Sequence, residues 1–193
     1  MNSQKILDTF TETKALLKGH FELSSGRHSD TYFQCALVLQ YPDITEKLAA
    51  ELAKKLKNDD ITCVIGPALG GVTIAYELGR QLKCRALFAE RKEGVMQLRR
   101  GFSLSPEDKV LLVEDVITTG GSVLEVAELV KQMKVAIAGI CCVVNRSNSD
   151  MLSSYQLTSL VKMTPQLFEP DACPLCKQGI PLSKPGSKKI IGK

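Results

Sequence analysis

Two acidic residues followed by a turn of small, hydroxyl-bearing residues form the stretch of this sequence best suited to chemistry. Glu114 and Asp115 come directly after residues 110–113, an uninterrupted apolar run typical of a strand buried on both faces. The turn, residues 118–122, reads Thr-Thr-Gly-Gly-Ser, and apolar residues spaced three and four apart predict a helix over residues 123–133. Strand, turn and helix together predict a ligand site at the end of a strand.

The turn has the features of an anion site. Its glycines let the backbone close tightly, and the first N–H groups and the dipole of the following helix favour a phosphate. The sequence around it lacks the Gly-Lys-Ser/Thr of a nucleotide P-loop and the G-x-G-x-x-G of a dinucleotide site. Two carboxylates repel a phosphate but suit sugar hydroxyls, or a hydroxyl and a hard cation. The implied ligand is a ribose phosphate.

The rest of the chain predicts the elements that position this turn. Its 193 residues fit one domain, and apolar runs alternate with amphipathic helical patterns. The predicted fold is therefore α/β: a mainly parallel, twisted sheet of about five strands flanked by helices. The remaining strands are predicted at residues 61–65, 85–89, 136–144 and 155–163, with shorter ones at 20–24 and 31–38, and helical segments include 3–18, 44–56 and 164–168.

Four other polar stretches each leave two interpretations open. The Gly-rich loop at residues 66–71 is a second anion site or only a turn. Residues 90–101, rich in charge, are a solvated hairpin or a mobile loop whose cations neutralise a departing anion. Residues 27–32 are a ligand rim or a polar surface loop, and Arg146 is a fork for a carboxylate or an ordinary strand-end cation.

Several of these stretches resemble a known family. Residues 114–122, E-D-V-I-T-T-G-G-S, are similar to the phosphoribosyl-pyrophosphate signature of the type I phosphoribosyltransferases. Residues 19–34, G-H-F-E-L-S-S-G-R-H-S-D-T-Y-F-Q, resemble the orotate branch of that family. With residues 65–71 and 90–101, the resemblance extends from about residue 5 to about residue 185. It implies a single domain over residues 1–193, with a hood mainly from residues 1–40 plus C-terminal contributions, a core of about 41–165 and a C-terminal arm of about 166–193.

The resemblance implies a reaction. The 5-phosphoribosyl group of 5-phospho-α-D-ribose 1-diphosphate is transferred to N1 of orotate, giving orotidine 5′-phosphate and diphosphate for pyrimidine (UMP) biosynthesis. Three alternatives share the signature: a purine-type phosphoribosyltransferase, a non-catalytic regulator that binds phosphoribosyl pyrophosphate and acts on RNA, and a paralogue that only binds.

The resemblance also assigns roles to residues. Lys92, Arg91 and Asp115 are the expected catalytic residues. Phosphoribosyl pyrophosphate is expected to bind Glu114, Asp115, Val116, Ile117, Thr118, Thr119, Gly120, Gly121 and Ser122. Orotate is expected to contact Thr118, Arg146, Tyr32 and Phe33. The expected diphosphate loop is Ala68, Leu69, Gly70 and Gly71.

Magnesium and a second copy of the chain are the implied cofactor and partner. Mg²⁺ would be bound mainly through the substrate, with Glu114 and Asp115 as the candidate protein ligands. Residues 91–101 would reach the neighbouring subunit's site, which predicts a homodimer. The sequence departs from the family at Ser24, where many members carry a lysine, and at Val95 and Gln97, near the position of a further lysine and histidine. It offers Arg99 and Arg100 instead.

Composition argues against several other classes of protein. The net charge of +4 is mild, and no basic patch interleaved with aromatic residues predicts nucleic-acid binding. Residues 1–19 are polar and charged rather than apolar, unlike a secretion signal, and no apolar run approaches the ~20 residues of a membrane span. The seven cysteines, an odd number with several in apolar runs, are typical of reduced thiols in the cytoplasm.

Cys173 and Cys176 have the spacing of a zinc knuckle. One C-x-x-C supplies only two ligands, and further sulfurs would have to come from Cys35, Cys84 or a dimer partner. Free or stabilising thiols are therefore favoured over zinc at this pair.

Overall fold

The computed structural model describes residues 1–23, 25–56, 60–147, 152–164 and 166–185. The helices are α1 (Ser3–Glu12), α2 (Ala36–Leu39), α3 (Pro42–Lys55), α4 (Gly70–Leu82), α5 (Gly121–Gln132) and α6 (Pro174–Lys177). The strands are β1 (Leu16–Glu22), β2 (His28–Phe33), β3 (Cys63–Pro67), β4 (Arg85–Lys92), β5 (Val95–Leu98), β6 (Lys109–Ile117), β7 (Ala136–Asn145), β8 (Leu157–Lys162) and β9 (Leu167–Phe168).

The larger sheet of these ranges has six strands in the order β5-β4-β3-β6-β7-β8. The neighbours from β4 to β8 pair in parallel, and β5 adds an antiparallel edge. The prediction of an α/β fold with a mainly parallel sheet is confirmed. Because the strands are parallel, the chain segments that follow β3, β6 and β7 leave at one edge, where open α/β sheets bind ligands.

Helices cover both faces of this sheet. Along β6, Leu111 and Val113 pack in a cluster that also contains residues of α1, α3 and α4. The intervening Leu112 packs in a second cluster, with residues of α5. Successive strand residues point to opposite faces, so burial on both sides explains why residues 110–113 are apolar without alternation.

A second, smaller sheet joins the two ends of the chain. Its order is β1-β2-β9, all antiparallel, and β9 pairs with His28 and Ser29 of β2. The predicted helical turn at residues 164–168 is wrong, because Leu167–Phe168 forms this strand. The sequence pattern of a short, solitary pair of apolar residues carries no strand period, so only tertiary pairing decides it.

The N-terminal elements also differ from the prediction. The helix predicted over residues 3–18 ends at Glu12, because Lys14 adopts a left-handed conformation and the Ala15 N–H donates to Phe10 O at 2.8 Å. The strand predicted over residues 31–38 ends at Phe33, and α2 follows it. Ser24 and residues 186–193 lie outside the described residues. Within the described ranges, no helix is long and apolar enough to cross a membrane.

Close backbone contact joins β3 to the start of α4 and to β6. A Cβ added at Gly66 would lie 2.4 Å from the carbonyl oxygen of Gly71. A Cβ added at Gly71 would lie 3.0 Å from the carbonyl oxygen of Val113. Only glycine therefore allows the loop after β3 to lie directly against the central strand.

Gly66→Ala is expected to destabilise the fold by about 1–3 kcal/mol, because the new methyl group overlaps a backbone oxygen that cannot move alone. The melting temperature should fall by about 2–4 °C for each 1 kcal/mol. Gly121→Ala is the matched control, since its added Cβ would meet only Thr119 Oγ1 at 3.7 Å. Equal melting temperatures in the two variants would contradict this packing argument.

Candidate functional site

The small residues after β6 form the turn that the sequence predicts. Gly120 has φ 82°, a left-handed conformation that favours glycine. The helix α5 begins at Gly121, and its first turn has neither a side-chain cap nor an acidic residue. The turn lines an open pocket. The helix N-terminus and threonine hydroxyls suit a phosphate. The lining residues are Glu114, Val116, Ile117, Thr118, Thr119, Gly120, Gly121 and Ser122.

Two half-buried carboxylates lie at the start of this turn. Burial raises the pKa of Glu114 to about 9, with a further upward contribution from the charge of Asp115 and a downward one from Arg91. Burial also raises the pKa of Asp115, although its carboxylate accepts a hydrogen bond from the Val116 N–H at 2.7 Å. The pair therefore carries electrostatic strain that hydroxyl donors or a cation would relieve.

The Gly-rich loop after β3 lies against the acidic pair. A Cβ added at Gly70 would be 2.8 Å from Asp115 Oδ1. Ala68 donates its N–H to Ala89 O at 2.7 Å, the Ala68–Leu69 peptide bond is cis, and the Leu69 side chain is 87% exposed. The loop and the acidic pair thus form one continuous site, in which the loop stands beside the carboxylates.

A buried arginine follows β7. Arg146 is only 7% exposed, and its N–H donates to Ile117 O at 2.8 Å, which ties it to the end of β6. The preceding Asn145 accepts hydrogen bonds from the N–H and hydroxyl of Ser147, which shapes the turn. Among the described residues, the buried Nε and Nη2 atoms of Arg146 have no hydrogen-bond partner. Burial lowers the pKa of this guanidinium.

Two aromatic residues of β2 lie beside Arg146. The Arg146 guanidinium lies over the Phe33 ring, 5.3 Å from its centroid, and Phe33 packs edge-on against Phe10 in the core. Burial raises the pKa of Tyr32, and the charges of Arg146 and Asp115 both act on it. Tyr32, Arg146 and the acidic pair therefore lie within electrostatic reach of one another, although they are far apart in sequence.

The charged stretch at residues 90–101 begins as a β-hairpin. Glu93 and Gly94 both have positive φ angles in the two-residue turn between β4 and β5, which matches the twist of the strands. Arg91 pairs with Glu125 of α5 through bonds of 2.6 and 3.1 Å. This ion pair and the lowering of the Glu114 pKa by Arg91 both show that the hairpin lies near the turn after β6 of its own chain. Lys92 is exposed at the end of β4.

The two arginines after the hairpin share one acidic partner. Arg100 donates to both carboxylate oxygens of Glu90, and Arg99 Nη1 lies 3.4 Å from Glu90 Oε1. Arg100 also lies over the Phe88 ring, 6.0 Å from its centroid. Both cations are held at the base of the hairpin in this conformation. Sequence reasoning missed Glu90 as the partner of Arg99 and Arg100 and Glu125 as the partner of Arg91, because no local spacing reveals a contact between elements.

The cysteine pair belongs to another part of the molecule. Cys173 and Cys176 lie against His20 and His28 of the smaller sheet rather than at the signature turn. All seven cysteines are free. The histidines are contacts that sequence reasoning also missed, since it looked for further ligands only at the short spacing of a metal knuckle.

Comparison with known proteins agrees with this geometry. Residues 38–171 match the family described as "Phosphoribosyl transferase domain". The chain therefore belongs to the phosphoribosyltransferase family. Its curated relatives include the orotate phosphoribosyltransferases of Caldicellulosiruptor saccharolyticus, 52% identical over 98% of this chain and 100% of the relative, and of Chlorobaculum parvum, 50% identical over 97% of each.

Solved structures share the fold at lower identity. The orotate phosphoribosyltransferase of Aeropyrum pernix has a TM-score of 0.70 and 23% identity over 82% of this chain and 93% of its own. An adenine phosphoribosyltransferase from Thermoanaerobacter pseudethanolicus has a TM-score of 0.60 and 18% identity over 69% and 88%. The type I phosphoribosyltransferase fold expected from the resemblance is confirmed.

Glu114→Gln is expected to stabilise the unliganded protein, and the gain should grow with pH. The folded state holds a proton on Glu114 up to a pKa of about 9, against 4.5 in the unfolded chain, so ionisation removes stability as pH rises through that window. Because the group is only half-buried, solvent screening limits the gain near pH 8 to about 1 kcal/mol, or about 2–4 °C in melting temperature.

Thermal unfolding at about pH 5 and about pH 8 measures this effect. Glu128→Gln, at an exposed position of α5 paired with Lys131, is the control and should show no such gain. A melting temperature difference that does not change with pH would rule out a protonated Glu114.

Proposed function

We propose that this chain transfers the 5-phosphoribosyl group of phosphoribosyl pyrophosphate to N1 of orotate, a step of pyrimidine (UMP) biosynthesis. The observation that carries the proposal is the buried Arg146 guanidinium, two of whose nitrogens lack a hydrogen-bond partner among the described residues. A carboxylate on a flat ring would satisfy them through paired, charge-assisted bonds. The identity of about half to curated orotate phosphoribosyltransferases supports the same base.

The base would lie between Arg146 and the hood. Tyr32 is half-buried beside Arg146, while Phe33 supports the guanidinium from the core. Family resemblance assigns Thr118 a contact to the base as well, and its exposure in the pocket is compatible with that. A neutral uracil ring has no carboxylate for Arg146, which leaves the buried charge unpaired and weakens its binding.

The sugar phosphate would lie along the pocket after β6. Its 5′-phosphate accepts hydrogen bonds from the backbone N–H groups at the start of α5 and from the hydroxyls of Thr118, Thr119 and Ser122. The ribose hydroxyls donate to Glu114 and Asp115. The diphosphate extends to the loop at residues 68–71, which is in contact with Asp115 at Gly70.

Catalysis would depend on position and charge rather than on a protein nucleophile. N1 of orotate forms the bond to C1 of ribose while the C1–O bond to diphosphate breaks. The electron pair of that bond leaves with the diphosphate, and the N1 proton passes to the departing diphosphate or to water. Glu114 and Asp115 orient the ribose hydroxyls, and Arg91 and Lys92 contact the leaving anion.

Glu114 and Asp115 also fit a divalent cation. They are adjacent carboxylates with raised pKa values, and hard oxygen donors of this kind suit Mg²⁺. When bound, Mg²⁺ would neutralise charge on the diphosphate. Buried, unbridged thiols such as those of Cys63, Cys141 and Cys142 are typical of a reducing compartment, and we assign the reaction to the cytoplasm.

We further propose a homodimer in which residues 91–101 act at the neighbouring site. Val95 is a large apolar residue exposed at the hairpin tip, and Lys92 is exposed opposite it, so the hairpin offers both an apolar and a cationic contact. The Arg91–Glu125 pair within one chain would then be exchanged for the partner's substrate.

Orotate consumption with phosphoribosyl pyrophosphate and Mg²⁺, beside uracil, adenine and guanine, tests the function. Turnover is expected with orotate only. Arg146→Met should lower kcat/KM for orotate by about 100-fold, or about 2.7 kcal/mol, through loss of paired hydrogen bonds to the carboxylate. The KM for phosphoribosyl pyrophosphate should change little, and the melting temperature should stay equal or rise, because a buried charge is removed.

Arg80→Met is the matched control, since Arg80 is exposed on α4 and pairs with Glu46 and Glu77. It should keep full activity. Faster turnover with a purine than with orotate would overturn the proposed substrate. Unchanged kcat/KM in Arg146→Met would remove this residue from the base site.

Mixing two inactive variants tests the shared site. Lys92→Ala and Asp115→Asn should each be nearly inactive alone. After mixing and subunit exchange, a mixed dimer has one site with both groups intact, so up to about a quarter of all sites should recover. Activity recovery measured against mixing time checks this. If Lys92 acts only within its own chain, no recovery is expected.

A further inference from the structure

Four metal-binding side chains meet beside the smaller sheet. They are His20 of β1, His28 of β2, Cys173 immediately before α6 and Cys176 within it. One ligand atom of each lies within 4.8 Å of all the others. Three of the four residues are buried, so this cluster is part of the folded interior rather than a chance meeting of surface groups.

The distances within the cluster approach those of a tetrahedral zinc site. Bond lengths of about 2.3 Å to sulfur and about 2.0–2.1 Å to nitrogen put a sulfur and a nitrogen ligand about 3.5 Å apart, and two nitrogens about 3.3 Å apart. Cys173 Sγ lies 3.4 Å from His20 Nε2, while Cys176 Sγ lies 3.7 Å from His20 Nε2 and 3.4 Å from His28 Nδ1. His20 Nε2 and His28 Nδ1 are 2.9 Å apart, so they need to move apart by only about 0.4 Å to reach the nitrogen–nitrogen distance of a tetrahedral site.

The protonation of His20 favours a ligand role. Its Nδ1 lies 2.8 Å from the carbonyl oxygen of Ile180, and a carbonyl can only accept, so Nδ1 carries the hydrogen. In the neutral ring Nε2 then has a lone pair directed at the cluster. A backbone carbonyl that holds the far nitrogen of a metal-binding histidine is the usual arrangement around zinc.

We propose that His20, His28, Cys173 and Cys176 hold one Zn²⁺ ion. Binding releases the two thiol protons, and the two thiolates balance the charge of the ion. Two sulfur and two nitrogen ligands in a tetrahedron are typical of zinc. Four protein ligands leave no open position for substrate or water, so the ion is structural.

Such an ion would fasten the C-terminal segment to the hood. Its ligands come from positions as much as 156 residues apart. The segment already runs along β1, since the Ser183 N–H donates to His20 O and the Glu22 N–H donates to Ser183 O, both at 2.8 Å. His28 begins the strand that carries Tyr32. The ion thus anchors both strands of the hood hairpin.

The sequence alone favours free thiols at Cys173 and Cys176, and it offers only Cys35, Cys84 or a partner as further sulfur ligands for zinc. Two histidines of the same chain complete the set. Sequence spacing does not reveal these histidines, because the two cysteines and the two histidines lie far apart in the chain. The antiparallel pairing of β1 with β2 brings the two histidines together.

The test uses the full, untagged chain, purified without added metal. Elemental analysis should find about one zinc per chain, and X-ray absorption should show two sulfur and two nitrogen neighbours at about 2.3 and 2.0–2.1 Å. Cys176→Ser should lose most of the zinc and melt at a lower temperature. Cys84→Ser, which changes a free, half-buried cysteine outside the cluster, is the matched control and should keep both.

Cobalt exchange guards against a variant that fails to fold. The wild-type chain, stripped with a chelator and given Co²⁺, should develop the intense ligand-field bands of a tetrahedral site and a thiolate charge-transfer band. Three results would overturn the proposal: equal zinc in Cys176→Ser and Cys84→Ser, no such bands, or a Cys173–Cys176 disulfide in the protein as purified. None of these readouts requires activity, so they are independent of the substrate.

Discussion

The close approach of the loop after β3 to the acidic end of β6 is the constraint on which the site depends. At Gly66, Gly70 and Gly71, an added side chain would collide with a backbone or carboxylate oxygen. Because β3 pairs with β6 in parallel, the loops that follow these two strands leave the sheet at the same edge. The absence of side chains at the three glycines then lets the two loops come into contact. The turn after β6 and the loop after β3 become one site only because of this contact.

Charge is left unbalanced inside that site. Two carboxylates with raised pKa values stand near one side, and a buried guanidinium with two unsatisfied nitrogens among the described residues stands near the other. Each arrangement opposes stability in the free protein and favours a ligand of the opposite character. A sugar with free hydroxyls and an anionic flat base would relieve both, which is why substrate binding and folding make opposite demands on these residues.

Different contacts hold the β4–β5 hairpin and the hood, which is formed by the smaller sheet, against the rest of the protein. The cations of the hairpin are paired with Glu90 and Glu125, exposed contacts that are weak enough to exchange for a phosphate. The hood instead gathers two histidines and two cysteines around one point and receives a strand from the far end of the chain. In the function and the metal site that we propose, the metal-held hood supports the base pocket, and the hairpin, held by surface ion pairs, contacts the leaving anion.

The sequence by itself determined the α/β sheet and the turn of small residues after β6, because those depend on local patterns: apolar runs, glycine turns and helix periodicity. The family came from the resemblance of residues 114–122 and 19–34 to known motifs. The sequence also identified Glu114, Asp115 and Arg146 as candidates, since each ends a recognisable strand. It did not determine the third strand of the small sheet, the partners of Arg91, Arg99 and Arg100, or the histidines beside Cys173 and Cys176. These rest on contacts between segments distant in the chain, whose spacing has no local period, so only the tertiary structure decided them.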